Sequence, residues 1–353
     1  MRKTLGALAL FASLGASGPT QAALTHLTDL FVFGDSLSDG GNSGLASLAA
    51  TGGAVVFPPP PYAGGRFSNG PVAVEHLWNS FNPVDTSFKP SLAGGTNYAI
   101  GGATSGLANY NSVSGNVPAG LQPVYSNLGN AWQLQTYSNQ LAGGRTFDPS
   151  SSLFVVWLFP NDVFNWAQTG LLPGTATGTP GAAGDLNALI GNGISNILTT
   201  VGALAATGAT HFLVPNMPDL GSTPSGLGNA GLTDLTLGFN TNLAAYLNGF
   251  QLLHPSLDIV QFDTFAALNN IIAGAPGNGF TNTNEACVAN LASGACDPDT
   301  WVFWDGVHPT TKIDAILAGQ FRAAVVPEPE TYALMLLGLL MVGFAARRRR
   351  THI

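Results

Sequence analysis

The sequence predicts an α/β protein, a three-layer α/β/α sandwich around a central parallel sheet. Three observations lead there. Four short apolar runs are continuous rather than alternating, as in strands covered on both faces. Long segments with a helical apolar period lie between them. Polar motifs follow the runs, and in open parallel sheets ligands bind beyond the carboxyl ends of strands.

The predicted strands are Leu30 to Phe33, Leu153 to Leu158, His211 to Val214 and Leu257 to Phe262. The second is the strongest, being β-branched and aromatic. Asp185 to Ala206 is predicted as a helix, because Leu186, Leu189, Ile190, Ile194, Ile197, Leu198, Val201 and Leu204 recur at a period near 3.6. Asp185 is its expected N-cap. Thr233 to Leu253 repeats the pattern with Leu235, Leu237, Phe239, Leu243, Tyr246, Leu247 and Phe250. The Pro- and Gly-rich stretches Phe57 to Gly65 and Gly170 to Gly184 are expected to be rim loops or connections rather than linkers.

Both ends carry processing signals. Met1 to Ala22 runs from Arg2-Lys3 through the apolar Leu5 to Leu14 to Thr20-Gln21-Ala22. That order predicts a signal peptide (residues 1–22) handled by the Sec machinery. The apolar run is too short for a span, which needs ~20 residues. The far end, residues 327–353, holds an apolar stretch from Tyr332 to Ala346 and then Arg347 to Arg350. The fifteen-residue stretch and its arginines predict a C-terminal anchor or a transient stop-transfer signal. One domain is expected between, over residues 23–326.

Without its ends the body keeps five Lys and Arg against 17 Asp and Glu, about −12. Five scattered cations cannot build the phosphate-neutralising patch of a nucleic-acid binder. Charged residues are only 8% of the chain, so Asn, Ser, Thr and the 45 glycines must solvate the surface. Cys287 and Cys296 are the two cysteines, and in an exported chain they are expected to pair. Two free thiols is the alternative. A metal site is not expected, because two sulfurs with no nearby His fall short of a zinc shell.

Four motifs carry potential chemistry. Gly34-Asp35-Ser36-Leu37-Ser38 follows the first strand. A serine at a strand-to-helix turn can face a crevice but needs a base to act as nucleophile; capping the next helix is the alternative. Asp305-Gly306-Val307-His308 places a carboxylate within reach of an imidazole on one tight turn. Asp305 would hold Nδ1–H while Nε2 takes the serine proton; an ordinary surface pair is the alternative. Asn161-Asp162 follows the second strand, where an amide can donate to an oxyanion or form an Asx turn. Asn97-Tyr98-Ala99-Ile100-Gly101-Gly102-Ala103 can bring a backbone N–H to the same oxyanion or serve as a glycine turn. His26, His76, His211 and His254 lack such companions, and His211 is expected to be structural. Asp39 and Asn42 are expected to shape the serine's turn, and Asp162 to be a structural hydrogen-bonder.

The order Ser, Gly, Asn, then Asp-x-x-His resembles the GDSL branch of the SGNH hydrolases. Phe31 to Asn42, Gly65 to Glu75, Asn97 to Ala103 and Pro215 to Pro224 share the resemblance, which spans about Leu30 to Gln320. It implies a flavodoxin-like α/β/α fold and ester hydrolysis through an acyl-serine, with no cofactor. Ser36 would be nucleophile, His308 the base and then acid, and Asp305 its orienting partner. The N–H groups of Ser36 and Gly102 and the side chain of Asn161 would form the oxyanion hole, with Gly101 as the alternative glycine. One departure stands out. Phe159-Pro160-Asn161-Asp162 replaces the usual Gly-x-Asn-Asp. Phe159 and a proline lacking a donor are expected to narrow the pocket or to shift Asn161.

Val326-Pro327-Glu328-Pro329, the apolar run and the arginines resemble a PEP-CTERM sorting signal. That implies export in a Gram-negative bacterium and processing by an exosortase, with the periplasm, cell surface or extracellular matrix as destination. The expected substrates are lipid esters first and short soluble acyl esters second. Polysaccharide deacetylation and acyl transfer are the alternatives, and a non-catalytic surface protein is the alternative of another class.

Overall fold

The computed structural model describes residues 24–326 and 337–342. The signal peptide expected over residues 1–22 and most of the expected sorting signal lie outside the described residues.

Four parallel strands form one sheet in the order β1-β2-β3-β4: Asp29–Gly34, Ser152–Trp157, His211–Pro215 and Asp258–Phe262. Phe31 pairs with Phe154, Phe154 with Phe212, and Phe212 with Ile259. These are the four predicted apolar runs. Because side chains alternate across a strand, each run feeds two cores. Leu30, Val32, Leu153, Val155, Trp157, Leu213 and Val260 face one layer of helices. Phe31, Phe33, Phe154, Val156, Phe212, Val214 and Ile259 face the other. The α/β/α sandwich follows from that double burial.

The helices, in chain order, are α1 (Asn42–Ala50), α2 (Ala73–Phe81), α3 (Asn130–Ala142), α4 (Pro160–Thr169), α5 (Leu186–Ala206), α6 (Ala230–Leu253), α7 (Thr264–Ala273), α8 (Cys287–Asn290) and α9 (Thr311–Val325). Residues of α2, α7 and α9 pack on the first face, and residues of α3, α5 and α6 on the second. The Asp185 carboxylate accepts from the Ala188 N–H at 2.9 Å and caps α5 as expected. Helix α6 begins at Ala230, a little before the predicted Thr233. Helix α5 is long and apolar enough to cross a membrane. Leu189, Ile194, Ile197, Val201 and Leu204 are instead buried in the second core.

The outer edge of β1 is covered by an irregular segment. Val32 N–H donates to Thr96 O (3.1 Å), Tyr98 N–H to Val32 O (2.8 Å) and Ile100 N–H to Gly34 O (3.3 Å). This satisfies the edge strand and runs residues 97–103 beside the turn that follows β1. Gln133 of α3 pins the end of β1 from the other side: its Oε1 accepts from Gly34 N–H at 2.9 Å and its Nε2 donates to Gly34 O at 2.7 Å.

Cys287 and Cys296 form a disulfide with Cα atoms 5.2 Å apart. The N–H groups of Cys287 and Val288 donate to Phe303 O (3.1 Å) and Trp304 O (2.8 Å). Cys287 and Cys296 pack with Trp301, Trp304 and Tyr62. The bridge thus clamps the strand of chain that leads into Asp305. Replacing both cysteines by serine should lower the melting temperature by roughly 5–10 °C, since a loop this short contributes roughly 2.5–3 kcal/mol. Calorimetry of the double variant checks this; an unchanged melting temperature would count against the clamp.

Candidate active site

Ser36 sits two residues beyond β1, on the turn that leads to α1. Its Oγ lies 2.7 Å from His308 Nε2. His308 Nδ1 lies 2.7 Å from Asp305 Oδ2 and 2.9 Å from Oδ1. The structure therefore joins Ser36, His308 and Asp305 across 272 residues of sequence separation. Asp305 does more than face the ring. Its Oδ1 accepts from the N–H groups of Val307 (2.9 Å) and His308 (2.8 Å), which folds Asp-x-x-His into a rigid turn. Burial pushes the Asp305 carboxyl up, but the His308 charge and these N–H donors outweigh it and hold it below the usual range. Asp305 is therefore anionic when His308 takes up a proton.

Tyr62 and Phe67 complete this corner, and the sequence reading missed both. The Tyr62 hydroxyl donates to Asp305 Oδ2 at 2.8 Å, the same oxygen that meets His308 Nδ1. Burial and the Asp305 charge raise the Tyr62 pKa, which keeps the phenol a donor. The Phe67 ring lies 5.2 Å from the His308 ring. Arg66 is held to Glu75 by two 2.7 Å bonds, and Ser68 Oγ donates to Pro309 O at 3.1 Å. The Gly65 to Glu75 stretch is thus a brace for the imidazole. Tyr62 lies in the Pro-rich rim loop just before that stretch, and no spacing connected the loop with Asp305.

The expected oxyanion donors converge on the same place. Ser36, Gly102 and Asn161 all line one cavity with His308 and Asp305. Gly101 N–H is already committed to Asp39 Oδ2 and Ser43 Oγ, both at 2.9 Å. Gly102 is therefore the better of the two glycines. Its φ is +78°, and a Cβ there would come within 2.5 Å of Asn109 Oδ1. Asp39 holds the two loops together, accepting also from the N–H groups of Gly41 (2.8 Å), Asn42 (2.6 Å) and Ser43 (3.1 Å). Asn42 Nδ2 donates to Asn97 O and Ala99 O at 2.8 Å, and Asn97 Nδ2 to Ser38 O at 2.8 Å. Asp39 and Asn42 shape the turn, as expected.

The cavity measures about 630 Å³. Leu37, Trp157, Leu268, Phe303, Ile313 and Leu317 form an apolar part of its lining, all drawn from or packed against the first core. Asn111, Ser114 and Asn116 line it from the segment after the glycine pair. An acid–base–nucleophile chain opening into a cavity of this size suits acyl transfer.

The family profile for GDSL-like Lipase/Acylhydrolase matches residues 30–321. The chain belongs to that family. A second profile, the PEP-CTERM protein-sorting motif, matches residues 325–350. A GDSL esterase/lipase of Arabidopsis thaliana is 28% identical over 326 residues, covering 82% of this chain and 80% of the relative. An uncharacterized protein from the trpE-trpG intergenic region of Pseudomonas putida is 27% identical over 332 residues, covering 90% of this chain and 51% of that protein. Among solved structures, an acetylxylan esterase from Geobacillus stearothermophilus has 13% identity and a TM-score of 0.40, covering 86% of this chain and 97% of its own. The family match makes this chain an ester-bond hydrolase.

Within the GDSL family pattern, Phe159 is the unusual residue, and the structure corrects the expectation attached to it. Phe159 has φ +121°, a conformation that suits glycine. Its ring does not enter the cavity. It stacks on Phe239 of α6, 3.6 Å between centroids and 4° between planes. Gly193 of α5 makes the room, since a Cβ there would meet the ring at 2.3 Å. Packing in the second core thus offsets the backbone strain. Pro160 is the first residue of α4, where a missing N–H leaves nothing unpaired. Asn161 therefore keeps its place beside the cavity.

Asp162 is the structural hydrogen-bonder expected, accepting from Ser105 N–H (2.8 Å) and Ser105 Oγ (2.5 Å). His211 is likewise structural, its Nδ1 3.1 Å from Asp258 Oδ2 at the start of β4. Asp35 and Asp162 are both fully enclosed. Burial raises Asp35 to about 6 and Asp162 to about 7, the latter raised further by the Asp35 charge. Folding thus binds protons at these groups above pH 4, where the unfolded chain has released them. Their contribution to stability is present at low pH and is lost as pH rises through about 6 and 7. Asp162→Asn should flatten the fall in melting temperature between pH 4 and 8; an unaltered slope would exclude Asp162 as its source.

Tyr62→Phe keeps the packing and removes one bond to a carboxylate. It should lower kcat/KM by about tenfold, mainly through kcat, and displace the acid limb of the pH profile. A change confined to KM would mean that Tyr62 only shapes the rim.

Proposed function

We propose that this protein hydrolyses carboxylic esters through an acyl-enzyme on Ser36. The observation that carries this is the Ser36–His308–Asp305 chain, with 2.7 Å at each link, at the wall of a largely apolar cavity. His308 Nε2 takes the Ser36 proton as Oγ adds to the ester carbonyl. The N–H groups of Ser36 and Gly102 and the Asn161 amide receive the oxyanion. Among the described residues neither of those N–H groups has a hydrogen-bond partner, which supports the assignment. His308 then returns the proton to the departing alcohol. Water, deprotonated by His308, attacks the acyl-enzyme and releases the acid. Asp305, steadied by Tyr62, stabilises the imidazolium at both steps. No cofactor enters this sequence of steps.

The acyl group packs against the apolar lining of Leu268, Ile313 and Leu317, and the alcohol faces Asn111, Ser114 and Asn116. Acyl transfer follows from the same intermediate when an alcohol replaces water. Residues 23–326 constitute the catalytic domain. The sorting motif supports export, with residues 1–22 read by the Sec machinery and an exosortase acting near Pro327 to Pro329.

Ser36→Ala should reduce turnover of p-nitrophenyl acyl esters by at least about 10³-fold; comparable activity in both proteins would overturn the mechanism. Leu268→Trp should move the chain-length optimum toward shorter acyl groups while overpacking costs at most about 3 kcal/mol of stability. An unchanged profile would place the acyl chain elsewhere.

A further inference from the structure

The body has two poles, and the chain leaves it at the pole away from Ser36. Strand β1 runs from Asp29 toward Ser36, so Leu24 and Leu27 lie at the amino-terminal edge of the sheet. Helix α9 starts at Thr311, directly after His308-Pro309-Thr310, and runs back. It ends where Val325 O accepts from Leu24 N–H at 3.4 Å. Two further contacts tie the same pole together: Arg322 donates to Ser80 O, and Asn82 Nδ2 donates to Leu27 O at 3.0 Å. The sorting motif begins at residue 325, at the base of the molecule.

The apolar stretch of that motif has no seat on the body at its described residues. Leu337 to Val342 are helical, with Leu337 50% and Val342 69% exposed. Arg347 to Arg350 follow. Apolar side chains of this kind, ahead of an arginine cluster, suit a bilayer with the arginines at its cytoplasmic surface. Only residues 327–331 separate Val326 from Tyr332, six Cα–Cα steps that reach at most ~22 Å when fully extended. Helix α9 alone is about 22 Å long, from base to active-site pole. Fully extended, the tether only matches that length and leaves nothing to pass around the body, so it holds the active-site pole off the bilayer.

We infer that the tail-bearing protein presents its active site away from the membrane that holds it. Its substrate is then an acyl ester of a hydroxylated alcohol presented in water, and not a lipid of the anchoring bilayer. This rests on the ester-hydrolase reading for the chemistry, but the orientation stands on the fold. The polar side chains of Asn111, Ser114 and Asn116 at the cavity fit an alcohol of that kind. The inference narrows the substrate expected from sequence, where lipid esters stood first.

The test uses the full chain in vesicles of phosphatidylethanolamine and phosphatidylglycerol. One fluorophore is placed at Val84→Cys, 94% exposed at the base and two residues from Asn82. Another is placed at Gly115→Cys, exposed beside Ser114, where an added side chain meets open space. Nitroxide-headgroup lipid should quench the Val84 label several-fold more than the Gly115 label. The vesicle-bound protein should hydrolyse p-nitrophenyl butyrate in solution and release no fatty acid from the vesicle lipid. Equal or stronger quenching at Gly115, or fatty-acid release from the vesicles, overturns the inference. Loss of p-nitrophenyl butyrate turnover would instead overturn the ester-hydrolase reading, and the quenching comparison would still report the orientation.

Discussion

One buried carboxylate organises the site. Asp39 accepts four backbone N–H groups, three from the start of α1 and one from Gly101. The turn bearing Ser36 and the loop bearing Gly102 are thereby locked to each other. Neither loop has regular secondary structure to hold it, so the interaction replaces a sheet ladder. Asn42 and Asn97 extend it with side-chain bonds to the opposite backbone. Asp39 also occupies Gly101 N–H, beside Gly102 at the cavity wall.

The chain meets its polar demands with few charges. Its body is poor in cations, and its loops are fastened by amides and hydroxyls. Gln133 grips the end of β1, Asn109 and Asn111 both donate to Gly101 O, and Asn196 donates to Ser105 Oγ beside Asp162. Such bonds satisfy buried backbone without the desolvation cost of ion pairs. The Arg66–Glu75 pair, by contrast, is a bidentate ion pair and braces the segment beside His308. The result is an imidazole held on one side by Asp305 and set against Ser36 on the other, with Phe67 beside its ring.

Much of this was legible in the sequence, and the reason differs from element to element. The four strands were readable because strands buried on both faces must be apolar throughout. Helices α5 and α6 were readable because their lengths gave the 3.6-residue period room to repeat. Helix α3 was not, since buried Asn130 and Gln133 break its apolar stripe to serve the loops. The triad was legible because Asp305 and His308 share one turn and the serine follows a strand. Tyr62 was not, because its partner lies 243 residues away and nothing local marks the pairing.

The sequence by itself determined the sandwich and the family, since each depends on local pattern or on motif order. Only the tertiary structure shows that Gly101 N–H is taken by a distant carboxylate, which favours Gly102 in the proposed oxyanion hole. It also decided the fate of Phe159. A bulky residue in place of the usual glycine looked like an obstacle to the pocket, and Gly193 and Phe239 draw its ring into the core instead. The separation of active site from tail is likewise tertiary: His308 and Val325 are near neighbours in sequence, and helix α9 carries them to opposite poles.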